Sequence, residues 1–229
     1  MIDKKISPPK ITFFRAFTLG FACILCTIAV WLLAADILRQ PPIEFPPTNA
    51  QAASLAYGNR GAAAKAARVG VARGDLWAQA AFSYGAALSS QIDDAYLEQA
   101  RLVTERAIEF SPNRSDLWLL LAAIRLRIDR TGESASSALK MSYYTGPSSV
   151  ALVGERLMLA LQGQIPTDDE IRELVRHDIR IVLMRKPDLI PALSAAYKSA
   201  SSSGRELVEM AVAEYDPNRL STIRSEPQR

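Results

Sequence analysis

An all-α domain behind one membrane-spanning helix is the architecture the sequence predicts, and three observations predict it. Ala, Leu, Ile and Arg dominate while β-branched alternation is scarce, so helical spacing accounts for the regular structure. A stretch of 20 residues near the N-terminus, residues 16–35, carries no charge. The tripeptide Asp-Leu-Trp occurs twice, at 75–77 and 116–118, each time opening an apolar-rich run with helical periodicity. With 229 residues, 49% hydrophobic and 22% charged, the chain is globular in composition and long enough for a sizeable core.

The uncharged stretch has the roughly 20 residues needed to cross the hydrocarbon core of a bilayer as a helix. Lys4, Lys5, Lys10 and Arg15 precede it against one acid, Asp3. That basic excess keeps the N-terminal flank in the cytoplasm and sends the rest across. A cleaved signal peptide would have a shorter apolar region of about 7–15 residues and a small-residue cleavage site close behind it. The nearest such site, Ala50-Gln51-Ala52, is too far downstream, so an uncleaved anchor is expected. Cys23 and Cys26 lie inside the span, where the thiolate needed for redox or metal chemistry is unfavourable, and they read as small apolar residues. Ala16 and Gly20 form a small-xxx-small pair that could let two such helices approach, a possible homodimer contact.

The first 15 residues carry the whole net charge of +3, and the remainder has 23 basic and 23 acidic residues. A nucleic-acid-binding domain would show a basic excess, so nucleic acid is not an expected partner. Four prolines between residues 41 and 47 make 39–49 an extended spacer that should hold the domain off the membrane. The chain thus divides into a basic stub (1–15), a membrane helix (16–38), a Pro-rich spacer (39–49), a helical domain (50–216) and a polar tail (217–229).

Within the domain, residues 50–73 are alanine-rich, and Gly58 and Gly61 suggest two helices or one broken one. The runs 74–88 and 115–128 begin with Asp-Leu-Trp; Asp75 and Asp116 are placed to cap these helices or favour their dipoles. Tyr96, Ala100, Val103, Ala107 and Ile108 follow helical spacing between them, and Pro112 closes that segment. Helices are further expected over 148–161, 166–185, 189–199 and 204–215. Thr167 and Glu170 read as a capping box, and Asp216 to Leu220 echoes Ser111 to Ser115 as one more helix-pair exit.

This pattern resembles the tetratricopeptide repeat. Trp77, Ala81 and Tyr84 match its first helix, Ala100, Ala107 and Pro112 its second, and Trp118, Leu121, Ala122 and Pro147 the next unit. The two tryptophans are 41 residues apart against about 34 in the repeat, implying an insertion near residues 89–97, and Thr104 stands where a large apolar residue is expected. The resemblance implies a short α-solenoid whose inner groove is lined by Ala78, Phe82, Leu119, Ala123, Leu126 and Arg127. Such a groove is mostly apolar and suits an amphipathic helix or apolar segment, unless a helix of the same chain fills it.

Nothing in the chain spells a reaction. His177, the only histidine, sits beside Asp178, but adjacent residues on a helix point apart and no nucleophile accompanies them. Asp168, Asp169 and Glu170 are accounted for by a helix dipole, and Asp178, near an apolar stripe, by an arginine on a neighbouring helix. No phosphate loop, metal set or Gly-x-Ser-x-Gly occurs, so no catalytic, cofactor or metal residue is assigned and no enzyme is expected. The layout is similar to that of small bacterial inner-membrane proteins of envelope polysaccharide assembly. That resemblance implies a periplasmic domain acting as a scaffold for protein partners. An accessory glycan-binding or glycan-modifying role would instead need Trp77, Trp118 and the tyrosines exposed.

Overall fold

The computed structural model describes residues 10–39, 41, 50–86, 88 and 93–225. The described residues form eleven α-helices and no strand. They are α1 (Lys10–Ile37), α2 (Ala50–Val69), α3 (Gly74–Gly85), α4 (Asp94–Phe110), α5 (Ser115–Ile128), α6 (Glu133–Thr145), α7 (Val153–Ala160), α8 (Asp169–Met184), α9 (Ile190–Ser199), α10 (Ser202–Tyr215) and α11 (Leu220–Ser225). Short 3-10 turns lead into α7, α8, α9 and α11. Most of the stub (1–9), the heart of the spacer (42–49), the insertion around 89–92 and the last four residues lie outside the described residues.

Helix α1 is long and apolar enough over Phe14–Ile37 to cross a membrane, and its side chains in that stretch are almost all exposed. Gly20 has open space around it. The C-terminal end of α1 departs from the expectation of a domain held away on a spacer. Ala35 is buried among Ala63, Ala66 and Ala67 of α2 and Leu76 and Ala80 of α3. The alanine richness of α2 has its reason here: methyl side chains let α1 and α3 both approach its axis closely. The Trp31 indole donates to the Val69 carbonyl at 2.7 Å, and Arg73 pairs with Asp36 at 2.5 Å.

Helices α3 with α4 and α5 with α6 pack as pairs, whereas from α7 onward the main packing is between alternate helices; α3 touches α5, α5 touches α7, α7 packs on α9 and α9 on α11 in one layer, and α6 touches α8 and α8 packs on α10 in the other. The core between the layers runs from Ala78 to Ile223. That last residue corrects one expectation. Residues 217–225 are no polar tail but a turn and a helix that bury Ile223 against Ser194 of α9, whose hydroxyl donates to the Ile223 carbonyl at 2.7 Å.

Two further local readings change. Residues 50–69 form one helix running unbroken through Gly58 and Gly61, because α2 is fixed by its packing and not by propensity alone. The cap of α8 is Asp168, which accepts from the backbone N–H groups of Glu170 and Ile171, while Thr167 donates to Gln164 inside the preceding turn. Glu170 therefore reaches Lys140 and Tyr144 of α6 instead of its own helix end.

Glycines in this fold separate into two kinds. Gly58 and Gly61 would offer an added methyl nothing within 4 Å, so Gly58→Ala and Gly61→Ala are each expected to stabilise the protein by up to about 1 kcal/mol. A methyl on Gly204 would lie 2.4 Å from the backbone oxygen of Leu161, where α10 starts against the end of α7. Gly204→Ala should therefore destabilise by about 2 kcal/mol despite the better helix former. Denaturant midpoints of the three variants check the opposite signs.

Candidate functional site

Each Asp-Leu-Trp is the visible centre of a longer seam that forms the same way twice. Two residues before each Asp stands an arginine, Arg73 or Arg114, in extended conformation at the N-cap of α3 or α5. Arg73 grips both carboxylate oxygens of Asp75, at 3.2 Å from Nε and 2.7 Å from Nη2. Arg114 grips Asp116 in the same fork, at 3.1 Å from Nε. The Arg73 pairing holds the Asp75 carboxyl below its usual range. Each indole N–H donates to the carbonyl six residues back, Trp77 to Val71 at 2.9 Å and Trp118 to Pro112 at 2.7 Å. Leu76 and Leu117 are fully buried between these groups. The aspartates thus bind an arginine from the first turn, where the helix dipole favours their charge, and Asp116 also accepts from the Leu117 backbone N–H at 2.9 Å; neither stands at the N-cap itself.

Packing across the seam repeats with its sizes exchanged. A side chain on Gly74 would collide with Ser111 at the end of α4, whereas one on Gly146, at the end of α6, would collide with Ser115. In both units one partner must lack a side chain so that the close of a helix pair can touch the start of that pair. The seams differ in what else the arginine meets: Arg73 reaches Asp36 of α1, and Arg114 lies over the Phe82 ring at 5.1 Å. The arginine was the part missed in the sequence, although Arg73 and Arg114 hold the same offset from the two Asp-Leu-Trp triplets.

The other repeat positions are mostly packing. Tyr84 and Tyr96 pack with their rings tilted and centroids 5.5 Å apart, and the Tyr96 hydroxyl donates to the Tyr84 carbonyl at 2.8 Å. Ala81, Ala100, Ala107, Leu121 and Ala122 are buried. Thr104, which replaces the expected large residue, is buried too and satisfies its hydroxyl on the Ala100 carbonyl at 2.7 Å. Pro112 and Pro147 are exposed in the turns that end α4 and α6.

The groove expected from the repeat is not open. Ala78, Phe82, Leu119 and Leu126 are buried in the chain's own core, Ala123 is half-buried, and only Arg127 is exposed. On the first pair, α2 covers the neighbouring face of α3 through Ala63, Ala66 and Ala67. Of the two expectations for these positions, their burial fits the second, in which the chain's own helices fill the groove. Large apolar groups that do face solvent lie elsewhere, among them Leu55 on α2, Val71 in the turn after it, Leu102 on α4, Ile128 at the end of α5 and Met184 at the end of α8.

A second group of perturbed charges is internal. Arg156 of α7 is fully buried; its Nε donates to Ser142 Oγ at 3.2 Å and its Nη2 to the carbonyls of Ser142 and, at 3.0 Å, Gly146. Those are carbonyls at the C-terminal end of α6, where a cation is favoured. The guanidinium also lies over the Tyr143 ring at 4.5 Å, and Tyr143 donates its hydroxyl to Asp178 of α8 at 2.9 Å. Burial pushes the Asp178 carboxyl up to about 6 against the smaller opposing pull of the Tyr143 hydrogen bond and the Arg156 charge. Burial also raises the Tyr143 phenol well above 10. Ser142 completes the network by donating to the Ser115 carbonyl at 2.8 Å, so that α5, α6, α7 and α8 are joined through one polar thread. The salt bridge to a neighbouring arginine expected for Asp178 is not formed among the described residues: its carboxylate accepts from Tyr143, and Arg156 lies over that ring without pairing with the carboxylate. Arg156 Nη1 is buried without a partner.

His177, by contrast, is exposed while Asp178 next to it is buried, so the two do not act together. Among the described residues no cluster of His, Cys, Asp and Glu is arranged to hold a metal ion. Trp77 and Trp118 are half-buried with both indole N–H groups bonded internally, and Trp77 stacks on Phe110 at 6.3 Å. The chain matches no protein-family model, no curated protein and no solved structure.

Proposed function

We propose that this protein is a non-enzymatic, membrane-anchored adaptor: a short tetratricopeptide-like stack of helix pairs that binds a protein partner in the bacterial envelope, with its N-terminus cytoplasmic and its domain periplasmic. The observation that carries the reading is the twofold seam. The same Arg fork, indole bond and buried Leu open two successive pairs whose helices go on to pack in alternating layers, an arrangement whose known use is to present surface to partners. With the inner residues buried, the partner surface moves to the exposed apolar side chains Leu102, Ile128 and Met184.

Photo-crosslinking amino acids placed at those three positions in the full chain, in cells, test the reading. A discrete adduct with one second protein from at least one of them, absent from the same probe at exposed His177, is the expected outcome. Unmodified chain at all three would contradict it.

A further inference from the structure

The turn between α2 and α3, Val69 to Ala72, is tied to a fixed height on α1. The apolar run Phe14–Ile37 has 24 residues and so measures about 36 Å as a helix, against about 30 Å of hydrocarbon. Trp31 stands six residues before Ile37, about 9 Å back along the axis. Centred in a bilayer, that places Trp31 about 6 Å inside the outer edge of the hydrocarbon. Its indole is bonded to the Val69 carbonyl at 2.7 Å, so the turn comes down to the same level.

Four carbonyls around the turn are bonded within the protein. Lipid leaves backbone carbonyls without water, and they must be satisfied from within. Here the Ala66 and Gly70 carbonyls accept from the backbone N–H groups of Gly70 and Arg73, the Val69 carbonyl from Trp31 and the Val71 carbonyl from Trp77. At the tip, Val71 has φ +29 and is 49% exposed. A β-branched residue in the left-handed region costs about 1–3 kcal/mol where glycine would cost nothing. A strained, outward valine makes sense where its side chain leaves water. The adjoining surface agrees: α2 has three basic residues, Arg60, Lys65 and Arg68, and no acid, and Lys65 and Arg68 share its exposed face next to the turn.

We propose that this turn is a second membrane contact, with Val71 seated among the lipid chains at the interface on the side where α1 emerges and Lys65 and Arg68 lying on anionic lipid phosphates. Basic groups near such a surface are drawn to it electrostatically. The proposal rests on α1 spanning the bilayer, and its test separates the two. The full chain is reconstituted in phosphatidylethanolamine–phosphatidylglycerol vesicles carrying doxyl-labelled lipid quenchers. A fluorescent thiol label is placed on native Cys26 in a Cys23→Ser chain, or on Val71→Cys, Ala72→Cys or Lys186→Cys in a chain lacking both native cysteines. Deep quenchers should darken the label at 26. Shallow quenchers should darken the labels at 71 and 72 about twofold more than the label at 186, in keeping with an interfacial depth. Quenching at 26 with no more at 71 and 72 than at 186 overturns the seat and leaves the span standing. No deep quenching at 26 overturns the span and the seat with it.

Discussion

Arg156→Ala is expected to destabilise the protein by about 4 kcal/mol, the scale of a buried charge network that loses one member. Three hydrogen bonds to Ser142 and Gly146 go, the C-terminal carbonyls of α6 lose their cation, and Asp178 is left in the core with no positive charge opposite. Arg156→Met separates these losses, since it keeps much of the volume and removes the unpartnered Nη1 but also strands Asp178. Asp178→Asn added to Arg156→Met should then recover part of the loss, because the stranded charge disappears. Urea denaturation of the full chain in detergent micelles measures all three, and Arg156→Ala within about 0.5 kcal/mol of the parent would show the thread to be dispensable.

Asp178 makes stability fall as pH rises through the weakly acidic range. The folded protein keeps its proton up to about 6, whereas the unfolded carboxyl releases it near its ordinary 3.8. Between those values the folded state binds more protons, so the slope of unfolding free energy against pH is negative, and above about 6 the contribution is flat. The whole step amounts to about 3 kcal/mol. Carboxyls held low by basic partners, Asp75 by Arg73 and Glu170 by Lys140 among them, act in the opposite sense at more acid pH. The difference curve between the parent and Asp178→Asn isolates the step: it should change between pH 3.8 and 6 and not above. A parallel pair of curves would contradict it.

Much of the fold was legible from residues alone. The helix class followed from composition and spacing, the apolar N-terminal helix from an uncharged run, and the starts of α3 and α5 from the repeated triplet. What failed depended on tertiary packing. Gly58 and Gly61 look like breaks because propensity costs are local, while the alanines that lock α2 in place act at a distance. Residues 217–225 look like a tail because only Leu220 and Ile223 in them are aliphatic, yet those two suffice to dock α11. Thr167 with Glu170 satisfies a capping pattern, but Asp168 one residue later is the better-placed acceptor. The groove was illegible for a related reason: the burial of Phe82 and Leu119 is a property of neighbouring helices.

The packing of α2 and α3 on the end of α1 bears directly on the adaptor role we propose. A spacer would let the domain sweep a volume, whereas Ala35, Trp31 and the Asp36–Arg73 pair hold it at one height and orientation. The first seam is part of that fastening, since Arg73 serves Asp75 and Asp36 together. Spin labels at Ile37 and Arg68, in a cysteine-free chain reconstituted in nanodiscs, measure the claim directly through their dipolar coupling. A single narrow distance distribution is predicted for a domain clamped to α1; a broad distribution, as from a domain on a free tether, would contradict it.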